Sequence, residues 1–116
     1  VGTMATQEFE VVDRTDTWYL AEGYTGNGFS TYILIMNANS SAASVDVTYM
    51  LDSGTNVTKT HTVPANSRYT IVAGEADQAG SDQAFGTKLV SDQEIVVERA
   101  MYWGTDGGHV TAGIRG

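Results

Sequence analysis

Alternation of apolar and polar residues, the signature of half-buried β-strands, runs through most of the chain. Over 44–51, Val45, Val47, Tyr49 and Leu51 fall on one side and Ser44, Asp46 and Thr48 on the other. The turn residues Asp52-Ser53-Gly54-Thr55 lead into 56–63, which makes a hairpin, and Pro64, the only proline, ends that strand because it has no N–H for a ladder. Further strands are predicted over 9–12, 17–22, 30–37, 67–73, 84–90, 94–102 and 110–115. The segment 30–37 is apolar on both faces, with Ile33 and Ile35 on one and Tyr32, Leu34 and Met36 on the other. Such a strand is covered on both sides, or one of its faces meets another molecule.

Helix is nearly absent from this pattern. Residues 73–84 lack β-branched side chains, yet Gly74 and Gly80 interrupt them and leave room for one turn at most. Eight or nine short strands with regularly spaced turns predict an all-β, Ig-like sandwich of two antiparallel sheets, with a closed barrel as the alternative. Residues 17–116 are expected to form the sandwich and residues 1–16 an N-terminal extension or linker strand.

The chain has 116 residues, enough for one domain with its own core, and no cysteine to staple it. Six basic against fourteen acidic residues give a net charge of −8, which repels nucleic acid and anionic membrane surfaces. No apolar run is long enough for a membrane-spanning helix. Lysine is confined to Lys59 and Lys88, while Thr, Ser, Asn and Gly abound, a balance common in bacterial surface and secreted β-proteins.

Several motifs together resemble a β-sandwich domain of bacterial secreted proteins. They are Trp18-Tyr19-Leu20-Ala21-Glu22-Gly23, Thr31-Tyr32-Ile33-Leu34-Ile35-Met36-Asn37, Val63-Pro64-Ala65-Asn66-Ser67-Arg68, Val96 to Trp103, and Gly107-Gly108-His109. The resemblance covers residues 18–114. It implies a secreted or cell-surface location and a domain that often recurs in tandem within large extracellular proteins. It implies no catalytic residues.

Candidate sites follow from residue chemistry. Glu98 and Arg99 are consecutive in a strand, so they point to opposite faces, and an inward Arg99 needs a carboxylate such as Glu22. A structural ion pair is the expectation there, ahead of paired acid and base carboxylates at Glu22 and Glu98. Tyr24 and Phe29 flank a glycine-rich turn and are the candidate contacts for a glycan, whose apolar faces stack on rings. Trp18 and Trp103 are expected in the core or an interface. His61 is expected in water and His109 at a turn, with no spacing that suggests zinc. Glu75, Asp77 and Asp82, like Asp13 and Asp16, offer oxygens to calcium, but the alternating acids of a calcium loop are missing. No cofactor is expected, calcium being the one candidate.

The functional expectation is a non-enzymatic structural, assembly or adhesive unit of a cell-surface protein, filament or surface layer. Its partners would be other copies of itself or neighbouring domains, met through Phe9, Val11, Ile33 and Ile35, with Phe9 and Val11 in a segment able to join a neighbour's sheet edge. A carbohydrate-binding module is the alternative.

Overall fold

Nine strands account for most of residues 16–104 and 107–116, which the computed structural model describes. They are β1 (Asp16–Tyr24), β2 (Phe29–Asn37), β3 (Ala43–Leu51), β4 (Asn56–Val63), β5 (Ser67–Val72), β6 (Ala84–Ser91), β7 (Val96–Trp103), β8 (Gly107–Ala112) and β9 (Ile114–Arg115). No helix forms among the described residues; 73–83 make a series of turns. The order is β4-β3-β6-β1-β9 in one sheet and β5-β2-β7-β8 in the other, and every pairing is antiparallel. This is the all-β sandwich expected from the alternation. The expected strand over 110–115 is two strands, because the chain leaves one sheet at Gly113 and joins the other. The expected strand over 9–12 lies outside the described residues.

The core lies between the sheets and comes from the inward half of each alternation. Val45, Val47 and Tyr49 of β3, with Leu89 and Phe85 of β6, face Ile33 and Ile35 of β2, Ile71 of β5 and Val97 of β7. Burying such side chains stabilises the fold by about 1.5–3 kcal/mol each. Ile33 and Ile35 are therefore not available to neighbouring units, as had been expected of them. They pair with Ile71 and Tyr69 across the ladder, which fixes them on the core side and turns Tyr32, Leu34 and Met36 outward.

Local chemistry sets the ends of the strands. Asn27 and Gly28 both adopt positive φ, and the Phe29 N–H donates to the Gly26 carbonyl at 2.9 Å, which tightens the turn that carries the chain from β1 in one sheet to β2 in the other. Buried Asn37 donates its amide to the carbonyls of Ser41, Val63 and Pro64 and accepts from the Asn39 backbone, pinning the β2–β3 turn to the end of β4. In β1 a bulge between Leu20 and Gly23 puts Ala21 and Glu22 outward in succession. A side chain at Gly23 would run into the Phe85 ring, so the glycine lets the bulged strand lie close on β6. At the opposite pole β9 runs back along β1, and the Gly116 N–H donates to the Thr17 carbonyl at 2.8 Å.

Candidate functional site

The outer faces of the two sheets differ in kind. On the five-stranded sheet, β3 and β4 present Ser44, Asp46, Thr48, Thr58, Thr60 and Thr62, which bond among themselves: Thr48 with Thr58 at 2.9 Å, and the Thr60 hydroxyl to the Asp46 carboxylate at 2.7 Å. On the four-stranded sheet, register aligns rows of apolar residues. One row is Val72, Tyr32, Ala100 and Val110; the next is Thr70, Leu34, Glu98 and Ala112; the last is Arg68, Met36 and Val96. Tyr102 stands beyond them and meets Tyr32 edge to face, centroids 5.9 Å apart, over the buried Ala100. Val110 is 55% exposed and Tyr102 47%, and Met36, Val72 and Val96 are similarly open. The face carries two charges, Arg68 and Glu98, flanking a groove of 240 Å³ over Leu34 and Met36. A second hollow of 310 Å³ continues it from Met36 and Val96 to Arg115.

The mouth of the sandwich forms a different feature. Tyr24 and Phe29 are half-buried there and line an open cleft of 630 Å³ with Glu22, Asp52, Met50 and Phe85. Tyr24 meets Phe29 edge to face at 5.2 Å, and Phe29 lies against Trp103 at 5.5 Å. The rings thus pack on one another rather than forming a flat platform. Trp18 sits in the core and donates its indole N–H to Asp16 at 3.0 Å.

Arg99 is buried between the sheets. Its Nη1 donates to the main-chain carbonyl of Glu22 at 2.6 Å, and the Glu22 carboxylate is 3.9 Å away with its side chain 71% exposed. Nη2 lies 3.2 Å from His109 Nε2 and 3.4 Å from the Thr111 hydroxyl, while Nε has no partner. The expected pair exists, but the carbonyl left by the bulge is its principal contact. His109 lies in β8 against Trp103, not in a turn. Glu98 points away from Glu22, out of the other sheet, so the two do not form an acid and base couple.

Sequence reasoning missed two networks. His61, expected in water, is half-buried between Tyr69 and Gln78, and buried Tyr49 donates to Gln78 Oε1 at 2.8 Å. Because His61 Nε2 reaches that same oxygen, an acceptor, it carries the proton, and Nδ1 accepts from the Tyr69 hydroxyl. Burial, with the Asp77 charge nearby, pushes the Tyr49 phenol well above its ordinary range. Asp16 is the second: it accepts from Trp18, from the Ile95 N–H at 2.8 Å and from Arg115 Nε at 2.9 Å. Burial pushes its carboxyl up, but these donors and the Arg115 charge together hold it below the ordinary carboxylate value. Among the described residues no three acidic, histidine or cysteine side chains are placed to hold a metal. Phe9, Val11 and Asp13 lie outside the described residues.

These features define a small β-sandwich whose four-stranded sheet carries an apolar outer face and whose five-stranded sheet is polar over β3 and β4, with Tyr19 and Ile114 exposed at its β1–β9 edge. No family model and no curated protein match the chain. Among solved structures, protein 1070 of Thermotoga maritima superposes with a TM-score of 0.78 at 14% identity, over 88% of this chain and 95% of its own. The sensory rhodopsin transducer of Anabaena superposes with a TM-score of 0.63 at 26% identity, over 72% of this chain and 85% of its own.

Proposed function

We propose that this domain is a non-catalytic docking unit of a secreted or cell-surface protein, and that it works through the outer face of its four-stranded sheet. The observation that carries the reading is the apolar surface built on Tyr32, Leu34, Met36, Val72, Val96 and Val110, which the fold leaves in water. Soluble proteins keep apolar patches of this size chiefly where something covers them. The threonine-rich outer face of β3 and β4 gives the contrast: that surface is already suited to water. The extracellular location rests on the motif resemblance and on the Thr-, Ser- and Gly-rich, lysine-poor composition. A structural neighbour named as a transducer is compatible with a role exercised by contact.

Immunogold labelling of producing cells tests the location, and label confined to the cytoplasm overturns it. Retention of the purified domain on isolated envelopes of those cells tests the surface. Leu34→Asp should abolish retention with unchanged far-ultraviolet circular dichroism, and retention that persists rules out the face.

The cleft at the sandwich mouth favours a second reading, a glycan-binding module, because it places Tyr24 and Phe29 beside the carboxylates of Glu22 and Asp52. Glycan-array binding lost on Tyr24→Ala or Phe29→Ala would support it. An array with no signal discards it.

A further inference from the structure

We infer that the occupant of the four-stranded sheet's outer face is a second copy of this domain, docked face to face about a two-fold axis; the inference rests on the docking reading above. Charge argues for it first. The chain carries a net charge of −8, yet this face holds one cation and one anion, Arg68 and Glu98. It is therefore a neutral surface on an acidic molecule, where two copies approach without strongly opposing fields.

The placement of the two charges is self-complementary. Arg68 lies on β5 beside Met36, and Glu98 lies on β7 beside Leu34, so the charges flank β2 one residue pair apart along the strands. A two-fold axis along β2, in the plane of the interface, lays β5 of one copy over β7 of the other. Each Arg68 then falls over the other copy's β7 one row, about 7 Å along the strand, from its Glu98, a gap the long guanidinium side chain spans, on either side of an apolar centre made by Leu34 and Met36. Two-fold dimers are the commonest closed assembly, and such an interface must match itself. Among the described residues neither side chain forms an ion pair, so both charges face outward.

Size is that of a reversible contact. With the axis along β2, the strands β5, β2 and β7 of each copy overlap while β8 stays outside; three strands about 4.8 Å apart and about eight residues long cover roughly 380 Å² in projection. Side chains standing on that plane enlarge the accessible area, which stays at the low end of specific interfaces. Sheets packed face to face at about 10 Å are also the arrangement already used inside the domain. An anionic membrane is a poor alternative occupant, because Arg68 alone supplies positive charge on the face.

Sedimentation equilibrium of the purified chain over a range of concentrations tests the inference. The expected result is a monomer–dimer equilibrium. Glu98→Arg or Arg68→Glu alone should weaken it at least tenfold, and the double exchange Arg68→Glu with Glu98→Arg should restore most of the loss. Circular dichroism and the urea midpoint report whether each variant is folded, and the restored double variant makes a folding failure distinguishable from lost contact. A chain monomeric at every concentration overturns the inference, as do single reversals without effect or a double exchange that stays weak. Envelope retention by a chain that is strictly monomeric overturns self-docking and leaves the docking surface standing. Loss of both removes both.

Discussion

Arg99 Nη1 donates to the main-chain carbonyl of Glu22 at 2.6 Å, so a cation from β7 in one sheet meets an acceptor that a bulge exposes in β1 of the other. The carboxylate of the same Glu22 is peripheral to this contact. Arg99→Met should destabilise the fold by about 2–3 kcal/mol, since it leaves a buried carbonyl without a donor. Glu22→Gln should change stability by less than about 0.5 kcal/mol, because exposed pairs are screened. Urea unfolding of the two variants checks the asymmetry; equal losses would make the carboxylate the main partner.

Asp16 makes stability depend on acid. Its folded carboxyl titrates below its unfolded value, so it adds stability above the unfolded value of about 3.9, and that contribution is lost as pH falls through the folded value. Asp16→Asn should flatten the acid limb of a stability–pH curve. Asp16→Ala should lower stability at neutral pH by about 2–4 kcal/mol, by stranding the Trp18 indole and the Ile95 N–H. Thermal melts between pH 2 and 7 would show both, and parallel acid limbs for wild type and Asp16→Asn would exclude Asp16 as the source.

The opposite sign holds for Tyr49. Its phenol is raised in the fold, so its contribution is complete below the unfolded value of about 10 and declines as pH rises through the folded one. Tyr49→Phe should cost about 1 kcal/mol at pH 7 and remove this alkaline slope. Gln78→Leu should cost about 1–3 kcal/mol by leaving the buried hydroxyl unmet, and the double variant should lose less than the sum. Strict additivity would dissolve the proposed link between Tyr49 and Gln78.

The two faces of β2 should respond differently. Ile33→Ala is expected to cost about 2–5 kcal/mol as a core cavity. Met36→Ser, on the outer face, should stay within about 1 kcal/mol in the monomer. Chemical denaturation at low concentration separates them, and comparable losses would mean the outer face is structural.

That same strand shows where the sequence was legible and where it was not. The alternation at 44–51 reads directly, because Ser44, Asp46 and Thr48 leave one apolar face and so one choice of inside. Over 30–37 both faces are apolar, and only the partners Tyr69 and Ile71, from a strand more than thirty residues further along, decide that Ile33 and Ile35 go in. Their own inward pattern was visible, and matching the two strands would have turned Tyr32, Leu34 and Met36 outward. That one of Glu98 and Arg99 turns inward was readable from their adjacency in a strand; that it is Arg99 follows from the register of β7 on β2. Its carbonyl partner was not readable, because the bulge at Ala21 and Glu22 leaves no mark in the alternation. The His61 network joins β3, β4, β5 and the loop before β6, and no local pattern links residues brought together by topology.

The bond between Gly116 and Thr17 has a mechanical consequence. Tension applied at residues 16 and 116 acts on adjacent antiparallel strands from the same pole, so it peels them apart and breaks their bonds in turn. The Asp16–Arg115 ion pair, at the open end of that zipper, takes the strain first. Single-molecule pulling between these points should give an early, low-force step as β9 detaches, lower still in acid that protonates Asp16. The domain then sheds β9 under load while the remaining strands of both sheets stay paired.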